Sequence, residues 1–145
     1  MSSSSILVML LATSVLSALL PVVNAEALVL ATVALLGADL AVGIAAVAAT
    51  GQMIGKASLY VAARGLGEGL SARSARAERL SERFRGRPRA LALVCLVSAV
   101  IGLPPFYVMS IGAGLVRLHA GVFLATGLLG RFARFYALAL MPGLL

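Results

Sequence analysis

The chain has no tryptophan, one cysteine, one histidine and only five acidic residues in 145. Each scarcity removes a class of chemistry. Cys95 lies alone inside an apolar run, so no intrachain disulfide can form, no thiolate metal cluster has ligands, and redox work is disfavoured. A single His119 beside so few carboxylates leaves no metal-ligand set of the usual kind, and no cofactor is expected. No nucleophile is paired with a base, so nothing here resembles an enzyme. Polar residues are scarce as well. With 61% hydrophobic and 12% charged residues and a mean hydropathy of +1.07, the chain cannot cover a soluble globule, and it reads as an all-α integral membrane protein.

The net charge of +7 is concentrated rather than spread: eight of the twelve basic residues lie between Arg64 and Arg89. Such a cluster marks a cytoplasmic loop under the positive-inside rule and can touch anionic lipid head groups. Nucleic acid is not an expected partner, because no aromatic interleaving or nucleic-acid fold accompanies the arginines. At the N-terminus, "SSSSILVMLLATSVLSALLPVVNAEA" has the apolar core and small residues of a signal peptide, with a cleavage position near Ala25. No Lys or Arg precedes the apolar run, which argues for a retained membrane segment.

Residues 5–63 form one apolar tract, interrupted by Pro21, Asn24–Glu26, Gly37–Asp39 and the segment 51–56. Residues 71–89 are highly charged and read as a short surface helix carrying Leu80 and Phe84, ending near Gly86 and Pro88. A second apolar tract, 90–140, is broken by "GLPPFYVMSIGAG" at 102–114 and by Arg131 and Arg134. Hydropathy alone gives four transmembrane helices, near 6–23, 27–49, 91–115 and 119–140. Prolines at 21, 104 and 105 argue against that plain reading, since each removes a backbone donor inside an apolar segment. Broken backbone in lipid must be packed in protein or line a wet cavity. Two re-entrant segments are therefore expected, at about 16–36 and 98–116, each followed by a spanning helix. The whole is one membrane domain with a first repeat at about 5–67, a linker at 68–89 and a second repeat at 90–145.

The stretch "GQMIGKAS" at 51–58 looks at first like a phosphate-binding loop. That loop needs four residues between its glycines and Ser or Thr directly after the lysine, whereas this chain has three and then Ala57. A better account comes from the chain itself. "ATGQMIGKASLY" at 49–60 resembles "ATGLLGRFARFY" at 125–136: Ala-Thr-Gly, then glycine with a basic residue, then a final tyrosine, with one residue fewer between the glycines of the second copy. Interrupted apolar segments at corresponding positions of two halves are the sequence mark of an inverted-repeat transporter. The same glycines also let helices approach closely.

At these residues the chain resembles the DedA superfamily of bacterial VTT-domain membrane proteins, especially its small branch. The features are "PVVNAEAL" at 21–28, "TGQMIGKASLYVAARGLG" at 50–67 and "PPFYVMSIGAGLVRLHAGVFLATGLLGRFARFY" at 104–136. The resemblance implies two re-entrant loops, a bacterial inner-membrane location with the linker cytoplasmic, and translocation of a phospholipid or polyprenyl-phosphate carrier between leaflets, with a proton or sodium gradient as candidate coupling source. Larger members carry arginines around the proline of the second re-entrant loop, where this chain has Ile101 and Tyr107.

Ionisable groups in a membrane cost about 2.5–3.5 kcal/mol each to insert, so every deep one is a candidate site. Arg131 and Arg134, three apart on one helix face, can clamp a phosphate or pair with Glu26 and Asp39; snorkelling to the cytoplasmic end is the competing account. Lys56 shares a face with Tyr60 and Arg64 and joins the two arginines as a candidate head-group contact. Arg64 abuts the basic loop and snorkels there. Glu26 and Asp39 are candidates for ion coupling, against an exposed loop acid for Glu26 and a helix cap for Asp39. Cys95 reads as a packing residue and His119 as an interfacial one. Two rivals stand beside lipid handling. One is a small-solute or cation exporter, weakened by the absence of the tryptophans that commonly line cationic pockets. The other is a non-transporting structural or assembly protein. Membrane lipids are the expected partners, and a homodimer is the candidate assembly.

Overall fold

A computed structural model describes residues 2–20, 23–66, 79 and 82–144. The described residues are mostly helical, without strands, and include six α-helices: α1 Ser3–Leu19, α2 Ala25–Leu36, α3 Ala41–Leu66, α4 Pro88–Ile101, α5 Phe106–Leu115 and α6 Ala120–Leu144. A 3-10 turn, Ala38–Leu40, leads into α3. The order is two short helices and a long one, then the same again. The stretch Ala38–Gly65 and helix α6 are long and apolar enough to cross a membrane.

The boundaries follow from local chemistry. Ser2 caps α1 through Ser5 N (3.3 Å), and Asn24 caps α2 by accepting from the backbone N–H groups of Glu26 (2.9 Å) and Ala27 (3.4 Å). Glu26 in that first turn also complements the helix dipole. Helix α2 stops at Gly37, with φ of 91°, and α4 stops at Gly102, with φ of 90°, conformations that glycine reaches without a Cβ penalty. Pro88 occupies the first turn of α4, where its missing N–H costs nothing, and Pro105 is the N-cap of α5. The four-helix expectation is corrected here. The segment 27–49 is divided at Gly37 and the segment 91–115 at 102–105, because a left-handed glycine ends one helix and a proline pair delays the next. Of the charged segment, residues 82–84 are helical and Gly86 has φ of 79°; 67–78, Leu80 and Ser81 lie outside the described residues.

The chain forms two compact units. Unit one is Met1–Gly55 with Arg131–Leu145: α1, α2, the first part of α3 and the last part of α6. Its core holds Leu10, Val29, Val33, Ile44, Ala48, Phe135 and Ala139. Unit two is Lys56–Gly130: the last part of α3, with α4, α5 and the first part of α6. There Ala63 packs with Val108 and Ile111, and Phe123 stacks on Tyr60 and Phe106 at centroid distances of 4.6 and 5.8 Å. Both boundaries, Gly55/Lys56 and Gly130/Arg131, fall inside the repeated glycine and basic pair.

The repeated glycines make the same contact in each unit. A β-carbon on Gly55 would lie 2.9 Å from the Val15 carbonyl oxygen and press into the Cβ of Ala18 on α1. A β-carbon on Gly130 would lie 3.0 Å from the Leu96 carbonyl oxygen and 2.5 Å from the Cβ of Ala99 on α4. Each long helix therefore seats a glycine against the first short helix of its own half, on residues three apart. Only a residue without a side chain permits this approach.

Candidate functional site

Unit one holds an ion pair assembled from distant parts of the chain. Arg134 on α6 donates from Nη2 to Oε1 of Glu26 in the first turn of α2. The side chains are 23% and 39% exposed, so the pair is neither sealed in the core nor free in solvent. Asn24 holds the start of α2, and the α6 residues after Arg134, Phe135 and Ala139, are fully buried in the core, which sets the helix face from which the arginine reaches out. Arg131, one turn earlier, interacts electrostatically with both Arg134 and Glu26. Three charges, two positive and one negative, thus gather within one apolar unit.

Unit two carries a related arrangement with different chemistry. Lys56 is buried (6% exposed), and its Nζ lies 5.5 Å from the ring centroid of Tyr107. Tyr107 is the second residue of α5, as Glu26 is the second of α2, and Lys56 follows Gly55 as Arg131 follows Gly130. One turn along α3, the Tyr60 hydroxyl donates to the Leu118 carbonyl oxygen, and Arg64 Nη1 donates to the Tyr60 hydroxyl oxygen (2.6 Å) and to that same carbonyl (3.4 Å). These bonds fasten the connection between α5 and α6, where Arg117 adopts a positive φ of 58°. Arg64 thus has bonded partners in Tyr60 and the α5–α6 connection.

Of the sequence candidates, the structure brings Glu26, Arg131 and Arg134 together in unit one. Asp39 is exposed on the 3-10 turn and makes no ion pair among the described residues. Lys56 belongs to unit two. Pro104 and Pro105 stand in the break before α5, and Ser98 donates to the Pro104 carbonyl oxygen; Pro21 lies outside the described residues. Cys95 is buried, and exposed His119 accepts from Gly121 N (3.2 Å) at the start of α6.

Two features escaped the sequence reading. Tyr107 entered it only as a departure from a family pattern, not as a partner for Lys56. The second is a pair of buried serines before the two breaks. Ser17 receives the Gln52 amide and donates to the Ser14 carbonyl (2.8 Å), while Ser98 ties α4 to the proline turn. Their signal was present as Ser-Ala at 17–18 and again at 98–99, each alanine meeting a repeated glycine. Three comparisons of the chain, with protein-family models, curated proteins and solved structures, find no match. The case for function rests on the chain's own geometry.

Proposed function

We propose that this protein is a DedA-like bacterial inner-membrane transporter that carries a lipid with a phosphate-bearing head group between leaflets. Helices α3 and α6 cross the membrane in this reading, and the pairs α1/α2 and α4/α5 are re-entrant segments in a pseudo-inverted repeat, with the 68–89 linker cytoplasmic. The observation that carries it is the Glu26–Arg134 pair, formed across 108 residues at the mouth of a broken apolar segment. A paired arginine has two uses here. While Glu26 is ionised it neutralises Arg134; once Glu26 takes a proton, Arg134 and Arg131 can receive a phosphate instead. Proton uptake and head-group binding then become alternatives at one site, which is the elementary requirement of coupling. No covalent step is needed.

The test is leaflet-to-leaflet movement of a fluorescent phospholipid and a labelled polyprenyl phosphate in liposomes holding the purified protein. The double variant Arg131→Ala/Arg134→Ala should lose most of the movement while inserting normally, and Glu26→Gln, which removes the competing carboxylate, should keep movement but lose its response to a pH gradient. The close glycine contacts at Gly51, Gly55 and Gly130 favour a second reading, a non-transporting assembly protein whose charges only fix its packing. Such a protein moves no lipid in any variant, and that outcome would sink the proposal.

A further inference from the structure

We propose that the connection between α5 and α6 is a docking surface for anionic phospholipid head groups, contacted by Arg64 and Arg117 together. This rests on the part of the lipid-handling reading in which α3 and α6 cross the membrane, and it adds where both helices meet the head-group layer. The backbone gives the first sign. Helix α5 ends in a Schellman turn, with Leu118 N bonded to the Ala113 carbonyl oxygen (2.9 Å) and Arg117 N to that of Gly114 (3.1 Å). Glycine usually fills the left-handed position of such a turn, and here it is Arg117, with φ of 58°. A β-carbon is strained there. Complementing the α5 dipole accounts for a cation somewhere near the last turn, but not for one at the position that glycine fills with least strain.

Arg64 gives the second sign. It lies in the last turn of α3, at the end of the apolar stretch Ala38–Gly65, and its Nη1 is 3.4 Å from the carbonyl oxygen of Leu118, the residue after Arg117. Helix α6, the other helix long and apolar enough to span, begins two residues further on, at Ala120. The end of one span and the start of the other are therefore held at one level, with an arginine from each side. Both arginines are exposed, and neither is in an ion pair among the described residues. Just beyond them Val122 and Leu124 are exposed and apolar. That order, guanidinium and then hydrocarbon, matches the order of a bilayer from head group to acyl chain. A soluble anion would leave Val122 and Leu124 in water, whereas a membrane covers them while the arginines meet lipid phosphates. The connection then faces the same anionic leaflet as the basic linker.

The experiment places the full-length protein in phosphatidylcholine nanodiscs, with or without phosphatidylglycerol, and follows amide hydrogen exchange across 116–119. Exchange there should slow in the anionic discs by about fivefold for each arginine engaged, and high salt should remove most of the slowing. Arg117→Gly relaxes the turn, so its unfolding midpoint should hold or rise while the lipid-dependent slowing shrinks about fivefold. Arg117→Lys should keep the slowing, and Arg64→Gln/Arg117→Gly should abolish it. Equal exchange in the two kinds of disc, or a slowing that Arg117→Gly leaves unchanged, overturns the proposal. Slowing by inorganic phosphate in pure phosphatidylcholine discs also overturns it, because the ligand is then a soluble anion. No lipid has to cross the bilayer for this reading. A protein whose 116–119 amides respond to phosphatidylglycerol through Arg117 yet translocates nothing defeats the transport reading alone, and one that translocates while these amides ignore lipid charge defeats this proposal alone.

Discussion

Units one and two are built to one plan and finished differently. Each joins two short helices to the leading part of the long helix that follows them and to the trailing part of the other long helix. Each seats its repeated glycine on an alanine and a carbonyl of its first short helix. At the second residue of the second short helix they part: Glu26 meets an arginine, and Tyr107 meets a lysine. An ion pair at the edge of an apolar unit depends on protonation and on dielectric, whereas a cation over a ring contributes only about 0.5–2 kcal/mol and does so with little regard to pH. The shared part is packing and the divergent part is electrostatics.

The largest effects should come from the shared packing. Gly55→Val and Gly130→Val would each drive a side chain into a neighbouring helix already at contact distance, and overpacking of this kind costs about 1–3 kcal/mol or more. Thermal unfolding of the detergent-purified protein should fall for both by similar amounts. Gly43→Ala is the control, because nothing lies within 4 Å of the added carbon. If Gly130→Val is tolerated while Gly55→Val is not, the two units do not share one packing plan and the comparison breaks.

How much of this was legible in the sequence differs between packing and pairing. The breaks were legible, since Asn24, Gly37, Gly102 and Pro104–Pro105 each impose a local backbone demand that neighbours cannot overrule. The glycine repeat was legible too, as letters. Its register was not. Reading by residue name matches Tyr60 with Tyr136, but burial counts from the glycine that touches the neighbouring helix, and five residues on from Gly55 and Gly130 stand Tyr60 and Phe135, both buried. Tyr136 is instead only partly buried and stacks on Phe132. The choice of Glu26 over Asp39 as the partner of Arg134 was also hidden, because it depends on whether the start of α2 or the 3-10 turn after it meets α6 and not on the charge of either acid. The grouping of Lys56 with unit two depends on where α3 passes from one set of neighbours to the next, which no local pattern encodes.

The next effect in size sharpens the electrostatic difference. Glu26→Arg alone sets a third cation beside Arg131 and Arg134 and should destabilise the protein, as should Arg134→Glu, whereas the exchanged pair Glu26→Arg/Arg134→Glu should recover part of the loss. Exposed pairs couple by about 0–1 kcal/mol, and breaking a buried one costs about 3–5 kcal/mol. With the side chains 23% and 39% exposed, a coupling of about 1 kcal/mol is expected from a double-mutant cycle on unfolding midpoints. Zero coupling would mean the pair does not persist, and the distinction between the units would then rest on Tyr107 alone.

The smallest effect concerns a hydroxyl that one unit uses and the other lacks. Tyr60 and Phe135 occupy matching positions, but only Tyr60 donates to a backbone carbonyl and receives an arginine. Tyr60→Phe should therefore cost unit two about 1 kcal/mol, because Arg64 still donates to the Leu118 carbonyl when both bonds of the hydroxyl are lost, while leaving the stacking on Phe123 intact. The loss should be local as well as small. Leu118 and Arg117 lie on the connection that Tyr60 and Arg64 fasten, so amide hydrogen exchange should quicken across 116–119 more than in α1 or α2. Equal quickening in both units would mean that the hydroxyl stabilises the whole chain rather than the connection it touches. Unit two would then owe its form to the same contacts as unit one, and the difference between them would narrow to a single pair of residues.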